Sequence, residues 1–168
     1  NELGAASDLH LIGCAYRELG EFEASIEAFE EARGLYKKHK EVIHVARCDL
    51  KIASCYNKLG QGEKALDKSR IALDVFETAH DNRRQVFTLF EYAKALELIG
   101  DSEEALATLD QVLTTASEDD PKDFEFIIEI ESEIASILRS ADRIEEAEEI
   151  ERRLNSVRTI LADEQSAQ

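Results

Sequence analysis

The chain has 168 residues, 43% of them hydrophobic, with one Pro and seven Gly, enough apolar material for one domain or a short repeat array with a continuous core, which excludes wholesale disorder. Its formal charge of −17 opposes nucleic-acid phosphates and anionic membrane surfaces at long range, so neither is an expected partner. Residues 1–80 hold 14 acids and 11 bases (−3), and subtraction from totals of 37 and 20 leaves 23 acids and 9 bases (−14) in residues 81–168, so any surface that tolerates an anion is expected in the first half.

No apolar run reaches the ~20 residues that a bilayer span needs, and no charged-then-apolar leader opens the chain. Three cysteines, Cys14, Cys48 and Cys55, are an odd and scattered set, which argues against a disulfide framework and for a reducing compartment. A soluble, cytoplasmic protein is expected, and the start at Asn1 rather than Met suggests part of a longer one.

Taken in chain order, apolar residues recur at three and four over stretches that predict helices at 5–19, 22–39, 42–59, 62–80, 83–99, 102–117, 122–140 and 143–162. Leu19-Gly20, Leu59-Gly60 and Ile99-Gly100 recur every 40 residues. Ile12, Ile52 and Tyr92 align in this register, as do Gly13, Ala53 and Ala93, then Ala32, Ala72 and Val112. A fourth, weaker copy follows at a spacing of 42, with Asp142 in the glycine's slot. Each copy therefore reads as a helical hairpin whose first helix ends in a left-handed residue. Small residues at 13, 53, 93 and 135 let paired helices approach closely, and Tyr16, Phe22, Phe29 and Tyr56 are expected to fill the space between hairpins. Asp101, Asp119 and Asp120 are candidate N-caps, and Pro121 marks a break.

One hairpin cannot bury both its faces, so hairpins must stack. The expected fold is all-α, a right-handed α-solenoid of four hairpins at about 5–40, 42–80, 83–119 and 122–162, with a frayed tail at 163–168. The last helix carries Ile144, Ala147, Ile150, Leu154, Val157, Ile160 and Leu161 and is read either as a polar-backed cap or as a face for homo-oligomer formation.

Ile12-Gly13, Ala15-Tyr16, Leu19-Gly20, Phe22, Ile26, Phe29 and Ala32 together resemble the tetratricopeptide repeat. The resemblance covers nearly the whole chain, though Ser25 replaces the usual Ala, and the period exceeds the family's usual ~34 residues. It is similar in this to the longer-helix members, such as kinesin light chains, cell-polarity adaptors and bacterial Rap-like sensors, which bind protein segments or peptides. The resemblance implies a concave groove lined by first-helix positions not used in packing. Those positions include Ser7, His10, Leu11, Cys14, Arg17 and Glu18, then Arg47, Leu50, Lys51, Ser54, Asn57 and Lys58, then Phe87, Phe90, Glu91, Lys94, Glu97 and Leu98, and, in the fourth copy, Glu129, Ser132, Glu133, Ser136, Arg139 and Ser140.

Chemistry is sparse. His10, His39, His44 and His80 lack the one-turn pairing of a zinc helix, Cys48 and Cys55 have no second thiol pair, and no Gly-rich phosphate cradle occurs. The carboxylates from Glu145 to Glu151 wrap around a helix instead of converging. Neither catalysis nor a metal or cofactor is expected. Arg47, Lys51, Ser54 and Lys58, at spacings of four, three and four, form one stripe along a helix, with Asn57 beside it and Arg17 on the neighbouring first helix. Such a basic strip either attracts carboxylates or phosphates or pairs with Glu18, Glu91 and Glu97 across the groove. Phe87, Phe90 and Lys94 extend the candidate site, the two rings as anchors for an apolar side chain. The expectation is a non-catalytic scaffold or adaptor that binds a peptide or partner segment with acidic residues, with a peptide-sensing domain of a larger bacterial regulator as the alternative.

Overall fold

The computed structural model describes residues 1–118 and 123–166, with side chains described as far as Thr159. Among them are eight helices and no strand: α1 (Glu2–Glu18), α2 (Phe22–Lys38), α3 (Val42–Lys58), α4 (Gly62–Thr78), α5 (Asn82–Leu98), α6 (Ser102–Glu118), α7 (Phe124–Ser140) and α8 (Ile144–Ser166). The predicted ranges fit to within three residues at every boundary but the last, where α8 continues through Ser166. Asp119, Asp120 and Pro121, the side chains of Ile160 and Leu161, and the final residues 167–168 lie outside the described set.

Helices α1 to α6 begin at residues 2, 22, 42, 62, 82 and 102, a step of 20. Each 40-residue copy is thus two 20-residue halves, and both kinds of turn share one geometry. Gly20, Gly60 and Gly100 have φ of 79°, 70° and 89°, and Lys40, His80 and Asp142 have φ of 60°, 54° and 61°. At each of these six ends, the left-handed residue's N–H donates to a carbonyl three back and the next N–H to one five back, as in Gly20 to Arg17 and Glu21 to Tyr16, or Lys40 to Lys37 and Glu41 to Tyr36. This Schellman arrangement satisfies carbonyls that the last turn leaves over. Asn1, Asp81 and Asp123 cap α1, α5 and α7 through their side chains, each accepting from the N–H three residues on.

The helices form two compact units, residues 1–101 and 102–168. In the first, α1 to α5 pack each on the next, and α3 also touches α5. Its core repeats with the sequence: Ala6, Ala32 and Tyr36 form one cluster with Cys48, and Ala46, Ala72 and Phe76, each 40 residues on, form the next with Leu50. Residues forty apart therefore hold the same place in successive hairpins of this unit. Between these layers Phe29, Ile52 and Cys55 are fully buried, with Phe22 and Tyr56 packed against them. Gly13 lets Phe29 in: a Cβ there would stand 2.8 Å from the ring. Tyr16 differs from the expectation of a filler. It is 40% exposed, and Ile12 46%, because the described chain has no helix before α1 to cover them as α2 covers Ile52.

One buried polar network interrupts this apolar order. Asp49 on α3 is fully buried and accepts from Arg33 Nε of α2 at 2.7 Å and from Lys68 Nζ of α4 at 3.1 Å, while Lys68 also reaches Glu30 at 2.6 Å. Three helices are tied by one carboxylate.

The second unit packs α6 on α7 and α7 on α8. Ala105, Leu109, Val112, Ile130, Ile137, Ala147 and Leu154 are buried. Arg139 grips Glu151 with two nitrogens, at 3.2 and 2.7 Å, and Arg153 meets Glu131 at 2.6 Å, so charged pairs join the hairpin of α7 and α8 at its surface.

Candidate functional site

The residues singled out in the first unit sit on α1, α3 and α5. Contact between α1 and α3 is fixed by His10, whose Nδ1 lies 3.7 Å from Cys48 Sγ and whose ring meets Phe29 edge-on at 5.1 Å, and by Ser25 Oγ, which donates to Gly13 O at 2.7 Å and lies 3.4 Å from Cys55 Sγ. Contact between α3 and α5 is fixed by Asn57, whose Nδ2 donates to Glu91 O and Glu91 Oε2, both at 2.8 Å. Both Glu91 atoms are acceptors, so the orientation of the carboxamide is settled, and Asn57 Oδ1 is left buried with no partner among the described residues.

Along α3 the stripe emerges as a gradient. Ser54 and Asn57 are buried at 8% exposure, Arg47 and Lys51 are half-buried, and Lys58 is exposed. The acids expected to neutralise the stripe are engaged elsewhere. Glu18 takes Arg17 at 2.8 Å, and Glu91 takes Asn57 and, at 3.5 Å, Lys94. Arg47, Lys51 and Lys58 form no ion pair among the described residues.

The electrostatic consequence is visible in two groups. Lys51 titrates below its ordinary 10.5, first because burial penalises the ammonium and then because Arg17 and Arg47 stand near it, with Cys14 and Glu91 only partly opposing. His10 is pushed down to about 4 by burial, Arg47, Lys51 and His44, in that order. Positive charge crowds a half-desolvated wall that lacks a counter-charge, an arrangement that attracts anions more strongly than the same side chains in open water. Burial also pushes the Cys48 thiol up to about 12, so it is a packed side chain and not a nucleophile.

Two expectations about the aromatic residues need correction. Phe90 is 3% exposed, with Lys94 Nζ 5.1 Å from its ring centroid, so it cannot offer its face to a ligand's apolar side chain. Phe87 is partly buried against the Ala46, Leu50, Ala72 and Phe76 cluster, with Arg83 over its ring. The physical reason is the repeat: Phe90 lies forty after Leu50, itself 9% exposed, and inherits its packing slot. Lys94 sits with Glu91 at 13% and 14% side-chain exposure, an internal pair.

In the second unit Ser132, Ser136, Arg139 and Ser140 line one open groove with Glu151, Asn155 and Arg158. Ser132 and Ser140 donate back to the carbonyls four before them and Arg139 is held by Glu151, so these groups are largely committed internally. No group of three or more His, Cys, Asp or Glu among the described residues could hold a metal ion, and none of the described helices is long and apolar enough to cross a membrane.

The tetratricopeptide repeat family matches this sequence over residues 45–118 and again over residues 9–39. No curated protein matches it. Among solved structures, a candidate kinesin light chain of Podosopora anserina with nearly identical TPR-like repeats superposes with a TM-score of 0.71 at 16% identity, covering 94% of this chain and 76% of that one. A Rap protein complexed with Competence and Sporulation Factor gives 0.84 at 20%, covering 94% and 44%, and aspartyl phosphate phosphatase F from Bacillus subtilis gives 0.75 at 17%, covering 97% and 42%. At these identities the likeness is one of fold, and this chain spans less than half the length of the last two. Two family matches that together span most of the sequence, eight helices in register and all-α solenoid neighbours lead to one conclusion: the chain belongs to the tetratricopeptide repeat family.

Proposed function

We propose that the chain is a non-catalytic interaction module, a scaffold or adaptor, in which the wall formed by α1, α3 and α5 receives a peptide or partner segment through acidic side chains. The observation that carries this reading is the unpaired state of Arg47 and Lys51. Two half-buried cations with no carboxylate partner cost desolvation energy that nothing in the described chain repays, and an incoming carboxylate does repay it. Fold neighbours support the ligand class, since one of them is a Rap protein held with Competence and Sporulation Factor. The same likeness favours a second version, in which the module is the peptide-sensing part of a longer regulator. The test is selection from a random peptide display library on the wild type and on Arg47→Glu/Lys51→Glu/Lys58→Glu, with helicity checked by circular dichroism. Enrichment of Asp and Glu on the wild type and its loss on the variant are expected, and identical selections on both proteins refute the reading.

A further inference from the structure

Helical rise sets a ruler on the basic stripe. Arg47 and Lys51 are four residues apart on one helix, which places them ~6 Å apart along its axis, and an extended chain advances by about 3.3 Å per residue, so ~6 Å is two residues of ligand. Residues two apart in an extended chain also point to the same side. A ligand helix could present acids four apart at the same spacing, and Asn57 distinguishes the two. Its Nδ2 is consumed by Glu91, and its Oδ1 is a buried acceptor with no partner among the described residues. An extended backbone has N–H groups to spare for such an acceptor, whereas a helix keeps most of its own inside its ladder.

We infer that the ligand is an extended segment carrying two acidic side chains separated by one residue, running along α3 with one carboxylate on Arg47, the next on Lys51, and a backbone N–H donated to Asn57 Oδ1. The inference rests on the proposed binding wall and adds its spacing and conformation. Arg17, on the α1 side, strengthens the attraction for the second carboxylate. Lys58, exposed at the end of the stripe, contributes long-range attraction and imposes no spacing.

The test uses capped seven-residue peptides of one composition in a Ser, Thr and Gly background, with two Glu adjacent, separated by one residue, or separated by two. A fourth peptide, held helical by a covalent staple, has Glu four apart. Fluorescence anisotropy against the intact chain should show the peptide with one intervening residue binding about ten-fold tighter than the others. Arg47→Ala should remove that preference. Replacing one backbone amide of the preferred peptide by an ester, which deletes a single N–H, should weaken binding at one position and not at its neighbours. Equal affinities for all three linear peptides, with sensitivity to Arg47→Ala retained, overturn the spacing and leave the binding wall standing. A stapled peptide that binds best overturns the extended conformation. No binding by any of the peptides, or binding indifferent to Arg47→Ala and Lys51→Ala, overturns the wall itself.

Discussion

Removing Asp49 should be expensive alone and nearly free in company. Its carboxylate is fully buried and holds Arg33 and Lys68, whose side chains are 23% and 19% exposed. Burial alone would lower the affinity of Arg33 and Lys68 for their protons, yet both are raised, because Asp49, with Glu30, supplies the compensating charge. Asp49→Ala leaves two partly desolvated cations without that partner and opens space between three helices, which places the loss at about 3 kcal/mol, at the lower end for a broken buried pair because both cations can swing toward water. The repeat supplies the remedy. Forty residues away, the slot of Asp49 holds Leu9 and Leu89, that of Arg33 holds Leu73, and that of Lys68 holds Ala28. Arg33→Leu/Asp49→Leu/Lys68→Ala therefore restores an arrangement used elsewhere in the chain and should fall within about 1 kcal/mol of the wild type or above it. Urea unfolding followed by circular dichroism measures both. A single variant that loses under ~1 kcal/mol, or a triple variant as unstable as the single one, refutes the reasoning.

Three further outcomes follow from the turns and the core. Lys40→Gly and His80→Gly relieve left-handed residues and should each raise stability by about 0.5–1 kcal/mol, while Gly60→Ala should lower it by a similar amount, all read from urea midpoints. Gly13→Ala drives a methyl to within 2.8 Å of the Phe29 ring and should cost about 1–3 kcal/mol by overpacking, read in the same way. His10 refuses a proton until about pH 4 in the folded chain, against 6.5 ordinarily. The unfolded chain binds more protons between those values, so stability falls as pH drops from 6.5 to about 4, and His10→Gln should flatten that part of a stability-versus-pH curve relative to the wild type.

The helices were legible because the polar break with its glycine recurs every 40 residues and the apolar spacing between breaks is regular. The turns at Lys40 and His80 were not, since neither residue type announces a left-handed conformation; only the 20-residue step between helix starts reveals them. Arg47, Lys51 and Lys58 could be placed on one stripe from spacing alone. Their lack of partners could not, because it depends on Glu91 being taken by Asn57 and Lys94 across helices. Phe90 was misjudged as an open anchor although the register already paired it with Leu50. Asp49 went unnoticed although an acid in a slot that holds Leu in two other copies, with bases replacing Leu73 and Ala28 in the adjacent slots, is a signal that alignment of the repeats contains.

The most direct test of the uncompensated basic wall is the titration of Lys51 by NMR, alone and with an acidic peptide bound. The free protein should show Lys51 below 10.5, and the bound carboxylate should raise it, since the missing counter-charge has then arrived. A Lys51 that titrates at or above 10.5 in the free chain, or that does not move when the peptide binds, would contradict the assignment of this wall as the binding site.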